Sequence, residues 1–125
     1  MIQHQKWYWS DRILITDDIY NASVQVDVFK CQELKDKYRA DALIYALYVD
    51  QPCRKRGIGK TLLKHAEQEA RDSHCRVVAL EWHEQEAQRW TLEWYLRQGY
   101  NVTQFGRYCA LLVKDLRTGG DDGQD

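Results

Sequence analysis

The stretch from Leu47 to His65, with the strand that leads into it, constrains this chain more than any other. Leu43-Ile44-Tyr45-Ala46-Leu47-Tyr48-Val49 is an apolar run with strong strand character. A basic turn follows, Arg54-Lys55-Arg56-Gly57-Ile58-Gly59, and passes directly into Lys60-Thr61. Ile58, Leu62, Ala66 and Ala70 then recur every four residues with Leu63 beside them, the apolar face of a helix ending near Ser73. Val77-Val78-Ala79-Leu80 is short and continuously apolar, as a strand buried on both faces would be. Strand, helix and buried strand make a βαβ unit, which sets residues 43–50 and 76–82 parallel. The chain is therefore expected to be a mixed α/β fold.

The turn inside that unit has a chemistry of its own. Glycines at 57 and 59 remove Cβ atoms, so the main chain can approach a ligand closely. The N–H groups of residues 56–60 lack intrahelical partners and point out along the helix axis. With the helix dipole behind them they suit an anion, most often a phosphate. Arg54, Lys55, Arg56, Lys60 and Lys64 concentrate positive charge here in a chain of net charge −1. Gly59-Lys60-Thr61 could also close a Walker A loop, but that loop needs glycine at 54, where arginine stands.

Outside this centre the reading is coarser. Arg12 to Asp17 and Ser23 to Lys30 read as strands joined through Asp17-Asp18-Ile19-Tyr20-Asn21, with Val24, Val26 and Val28 on one face. Residues 1–11 are polar but carry Trp7, Tyr8 and Trp9 in a row, and Cys31 to Ala40 reads as a charged loop with at most one helical turn. Glu86 to Gln98 is a second helix, stopped by Gly99, and Tyr100–Phe105 and Tyr108–Lys114 are two strands joined through Gly106. Residues 118–125 are dominated by glycine and acid and are expected to be disordered, leaving one domain over 1–117.

Composition narrows the function classes. At 125 residues and 44% apolar, the chain can bury one core, and no apolar run approaches a membrane span. The polar start, Met1 to Lys6, is not a secretory leader, so a cytoplasmic protein with reduced thiols is expected. Cys31, Cys53, Cys75 and Cys109 form no Cys-x-x-Cys pair, and His4, His65, His74 and His83 show no metal-ligand spacing, so no metal is expected. A charge near zero argues against nucleic acid as a main partner.

Arg54, Gly57 and Gly59 match the Arg-x-x-Gly-x-Gly turn of the GNAT acetyltransferase superfamily, and Leu47-x-Val49 before it and Leu62-Leu63 after it also resemble that family. The likeness continues in Trp94-Tyr95-Leu96-Arg97-Gln98-Gly99-Tyr100, and covers about the final four-fifths of the chain. Departures are proline at 52 instead of 51, and Gln88 and Thr91 where the family often has asparagine and alanine. The resemblance implies a mostly antiparallel sheet with a parallel βαβ centre, lacking the usual first strand and helices, since only about ten residues precede the first strand read here. It implies acetyl-CoA as co-substrate and direct transfer of its acetyl group to a primary amine on a small molecule or a protein. In family terms Arg54, Lys55, Arg56, Gly57, Ile58, Gly59, Lys60 and Thr61 hold the pyrophosphate. Leu47, Tyr48 and Val49 line the pantetheine and thioester, Gln88 reaches the pantetheine arm, and Tyr95 is the general acid. The family's chemistry is direct transfer, so Cys53 is not expected to act as a nucleophile. Glu81, His83 and a water relay all stand open as the base. A missing front implies an acceptor pocket that is open, absent or completed by a second subunit, hence a homodimer. The other reading is a binding module that keeps acyl-CoA and has lost acceptor chemistry.

Overall fold

The computed structural model describes residues 1–50, 57–85 and 87–117. Among these, the strands are β1 (Ile2–Lys6), β2 (Ser10–Asp17), β3 (Ala22–Phe29), β4 (Ala42–Val49), β5 (Val77–His83), β6 (Asn101–Phe105) and β7 (Cys109–Asp115). The helices are α1 (Gln32–Tyr38), α2 (Ile58–Asp72) and α3 (Arg89–Arg97). All seven strands form one sheet in the order β1-β2-β3-β4-β5-β7-β6. The β4–β5 pair is parallel and the others are antiparallel, so the expected α/β architecture with a parallel centre is what forms.

One face of the sheet carries the main core. Leu62, Leu63, Ala66 and Ala70 of α2 bury against Ile13, Val24, Val26, Ile44, Val78 and Leu80, and Leu92 of α3 joins them. Those four helix residues are the ones that share a face at helical period, and filling that face is what keeps α2 helical in water. The other face is thinly covered. There Ala40, Ala79 and Leu111 are buried with Tyr38, Leu43, Val77 and Val113 packed around them, and α1 is the helix that supplies Tyr38.

Two elements differ from expectation. A first strand exists: β1 pairs with β2 from Ile2↔Ile15 to Lys6↔Asp11, with a turn through Trp7, Tyr8 and Trp9 and no helix between the two. The Trp7 N–H donates to the Ser10 carbonyl at 2.8 Å and closes that turn. Every residue of β1 is exposed, so an edge position with one ladder tolerates a polar sequence that carries no apolar alternation. Likewise Gln32–Tyr38 is a helix where a loop was expected; none of its residues is buried, which is why it lacks an apolar period. It is pinned by the stacking of Tyr38 on Phe29, with ring centroids 5.3 Å apart. Residues 118–125 lie outside the described residues, as does Glu86, and the second helix begins at Arg89 with Gln88 as its N-cap.

Candidate functional site

The site begins where two parallel strands part. Pairing between β4 and β5 is confined to Ala42↔Val78 and Leu43↔Ala79. Beyond that, β5 follows β7 as far as His83↔Cys109, while β4 follows β3 as far as Val49↔Ala22. A wedge therefore opens between the C-terminal halves of β4 and β5. Within it β4 carries a bulge, since Gln25 faces Tyr45 but Ser23 faces Tyr48, and Ala46 takes a left-handed conformation with φ of 54°. An alanine held there costs on the order of 1–3 kcal/mol, so the surrounding packing must offset it. The extra residue switches the strand's phase. Ala42 and Ile44 before it, and Leu47 and Val49 after it, all turn to the α2 face. The Asp50 N–H donates to the carbonyl of Asn21, the residue before β3, at 3.3 Å. Alternation then turns the main-chain groups of Val49 and Leu47 away from β3, toward the wedge.

The N-terminus of α2 lies at the same end. Gly57 is its N-cap with φ of 77°, and a Cβ there would meet no atom within 4 Å. A Cβ on Gly59 would lie 3.7 Å from Val49 Cγ2 and 3.8 Å from Trp94 Cη2. Those two contacts seat the helix start against the end of β4 and against α3. Lys60 is exposed and Ile58 half-buried, packed on the core. Thr61 donates both its N–H and its hydroxyl to the Gly57 carbonyl at 3.0 Å, so its side chain braces the first turn. Arg54, Lys55 and Arg56, expected to supply the charge, lie outside the described residues together with Cys53.

Tyr95 follows Trp94 on α3, with ring centroids 5.4 Å apart, and meets Tyr100 at 6.3 Å. It packs against the main core, and burial pushes its phenol pKa above the ordinary 10.0. Among the described residues its hydroxyl has no hydrogen-bond partner. Gly99, with φ of 97°, ends the helix just beyond it. Gln88 is committed elsewhere: its Oε1 accepts from the Trp90 indole at 3.0 Å and its carbonyl from the Trp82 indole at 3.1 Å. Tyr48 is exposed and donates to Asp50 Oδ1 at 3.1 Å. Among the described residues Cys31, Cys75 and Cys109 are free thiols, and burial pushes Cys75 up to about 11, which makes it a poor nucleophile at neutral pH.

Glu81 and His83 alternate with the buried Leu80 and Trp82, so both sit on the sheet face opposite α2 and α3. His83 Nε2 and Glu81 Oε1 are 4.0 Å apart and both side chains are partly solvated. His83 also lines a hollow of about 410 Å³ with Gln85, Arg107, Tyr108 and Cys109.

One group was not foreseen. Glu67 of α2 is buried, accepting from Lys114 Nζ at 3.1 Å and from the Tyr100 hydroxyl at 2.8 Å. That cluster joins α2, β7 and Tyr100, three residues beyond the end of α3. The available signal was position, because Glu67 is four residues after Leu63 on the apolar side of the helix.

Residues 27–100 match the family described as Acetyltransferase (GNAT) family, so the chain belongs to the GNAT acetyltransferases. Among solved structures it is similar to the PaiA N-acetyltransferase of Thermoplasma acidophilum in complex with coenzyme A: 18% identity, TM-score 0.63, covering 83% of this chain and 59% of that one. An acetyltransferase of Bacillus cereus shares 18% identity with a TM-score of 0.62, over 91% of this chain and 74% of that one. A chain of the NatC complex bound to Gag peptide and CoA shares 17% identity with a TM-score of 0.61, over 85% of this chain and 70% of that one. At these identities the likeness is one of fold. No curated protein matches the sequence significantly. Among the described residues no helix is long and apolar enough to cross a membrane.

Proposed function

We propose that this protein is an acetyl-CoA-dependent N-acetyltransferase that moves the acetyl group to a primary amine in one direct step. The carrying observation is the wedge between β4 and β5, with the α2 N-terminus at its end. Coenzyme A would lie in the wedge from the α2 side. The helix N-terminus at Gly57 to Thr61, with Arg54, Lys55 and Arg56, would hold its pyrophosphate. The main-chain groups of Leu47, Tyr48 and Val49 would bind pantetheine and orient the thioester. Gln88 reaches the pantetheine arm in this reading only if it releases Trp90.

In the reaction the amine nitrogen attacks the thioester carbonyl carbon. A C–N bond forms, the C–S bond breaks, and the amine gives up a proton. Glu81 and His83 are the side chains of β5 facing the side from which an amine can reach the wedge, and either, directly or through water, would take that proton. Tyr95 would return one to the departing thiolate, a role its protonated state at neutral pH suits. The protein acts in the cytoplasm as a homodimer, on this reading. A second reading is a module that binds acyl-CoA without transfer, favoured by the short turn that joins β1 to β2 without a helix. Thiol release from acetyl-CoA across a panel of amines decides between them. Amine-dependent release supports the enzyme, and coenzyme binding without release with any amine supports the module.

A further inference from the structure

Within that transferase reading, the geometry points to the class of acceptor: a small amine that carries a carboxylate, held by Arg107 in the hollow beside His83. The hollow lies at the end of the sheet where β4 and β5 part, on the face away from α2 and α3. His83 and Cys109 are paired across β5 and β7, and both project to that face with Leu111 and Ala79. Coenzyme and acceptor would thus approach from opposite faces and meet across the wedge.

The hollow has two chemically different ends. Toward the wedge stands His83, with the Glu81 carboxylate 4.0 Å from its Nε2 but outside the hollow's lining, suited to an ammonium group that must lose a proton. At the far side stands Arg107, in the connection between β6 and β7, its guanidinium 5.4 Å from the centroid of the Tyr108 ring. Among the described residues Arg107 has no carboxylate partner, and no acidic side chain lines the hollow itself. A guanidinium presents paired N–H donors that match a carboxylate, and stacking on an aromatic ring limits its freedom before the ligand arrives. The volume of about 410 Å³ sits toward the small end of ligand pockets and has room for an amino acid.

The test compares acetyl transfer to ω-amino acids, from 4-aminobutyrate to 6-aminohexanoate, with transfer to their primary amides, whose amines are of similar basicity. The wild-type protein should favour the best acid over its amide in kcat/KM by roughly tenfold to a hundredfold, as expected for one charged hydrogen-bonded pair. Arg107→Gln should collapse that ratio toward one through KM, and Arg107→Lys should restore part of it. A wild-type ratio near one, or a ratio that survives Arg107→Gln, overturns the assignment. Calorimetry of the same acids with the coenzyme-loaded protein separates the two levels. Binding that depends on Arg107 without turnover of any amine would remove the transferase reading and keep the anion site. Turnover of other amines, with no Arg107-dependent binding of acids, would remove the anion site alone.

Discussion

Tyr95 is the side chain proposed to carry a chemical step by itself. Its phenol is raised above the ordinary value by burial, so at neutral pH it is wholly protonated and available to a thiolate. Tyr95→Phe keeps the ring against Trp94 and Tyr100 and removes only the proton donor. Turnover should fall by roughly 10²- to 10⁴-fold with coenzyme affinity nearly constant, measured with saturating acceptor and chemistry shown to limit the rate. Wild-type turnover in that variant would remove Tyr95 from the mechanism. Ala46 carries a structural burden at the same scale, because its left-handed backbone makes the bulge. Ala46→Gly should keep coenzyme binding. Ala46→Val should lose roughly 1–3 kcal/mol in denaturant unfolding, since a β-branched residue is poorly tolerated there.

For α2, the start and the middle make separate predictions. Gly57 has open space around the Cβ position and a positive φ that aspartate tolerates better than most residues. Gly57→Asp should therefore fold, yet place a carboxylate where the coenzyme's phosphates are proposed to bind. Calorimetry should find coenzyme binding abolished, and unchanged affinity would overturn the phosphate assignment. Midway along the helix, Glu67 meets Lys114 and Tyr100 out of contact with water. Glu67→Leu removes the carboxylate that the buried Lys114 ammonium and Tyr100 hydroxyl share, and breaking that buried pair should cost about 3–5 kcal/mol. Replacing all three together (Glu67→Leu, Lys114→Met, Tyr100→Phe) should recover most of that loss. Stability of the single and triple variants in denaturant checks both statements, and equal losses would mean the cluster acts through shape alone.

Across the whole molecule, alkali should act through two tyrosines on different faces of the sheet. Burial and the neighbouring Asp27 push Tyr45 up to about 12, and burial with Glu67 holds Tyr100 well above 10.0. Both folded values exceed the unfolded one, so their contribution is complete below about pH 10. It fades as pH rises toward the folded values, because the unfolded chain then releases protons that the folded one retains. Tyr45→Phe should flatten the fall in stability between pH 10 and about 12, read from unfolding curves. The second whole-molecule expectation is the dimer. Trp7, Tyr8 and Trp9 are 51%, 81% and 59% exposed at the β1–β2 turn, an apolar group that a second subunit would cover. Light scattering should give twice the chain's mass, and a monomer at high concentration would refute it.

The crossover from β4 through α2 to β5 was legible because its signals are local. An apolar run, a glycine turn and a four-residue apolar repeat specify their elements within a few residues of chain, and the GNAT turn lies among them. The polar β1 was not legible, since among the described residues its ladder is supplied by β2 alone, and α1 was not, since it buries none of its residues. The site divides in the same way. Gly57, Gly59 and Tyr95 stand out as residue types at set spacings. The parting of β4 from β5, the bulge at Ala46, the Glu67–Lys114–Tyr100 cluster and the hollow beside Arg107 depend on segments far apart in sequence. Helical period and turn chemistry are properties of neighbouring residues, so the sequence alone determined the βαβ centre. Strand splay, buried charge pairing and cavity shape are properties of surfaces brought together by folding, and only the tertiary structure decided them.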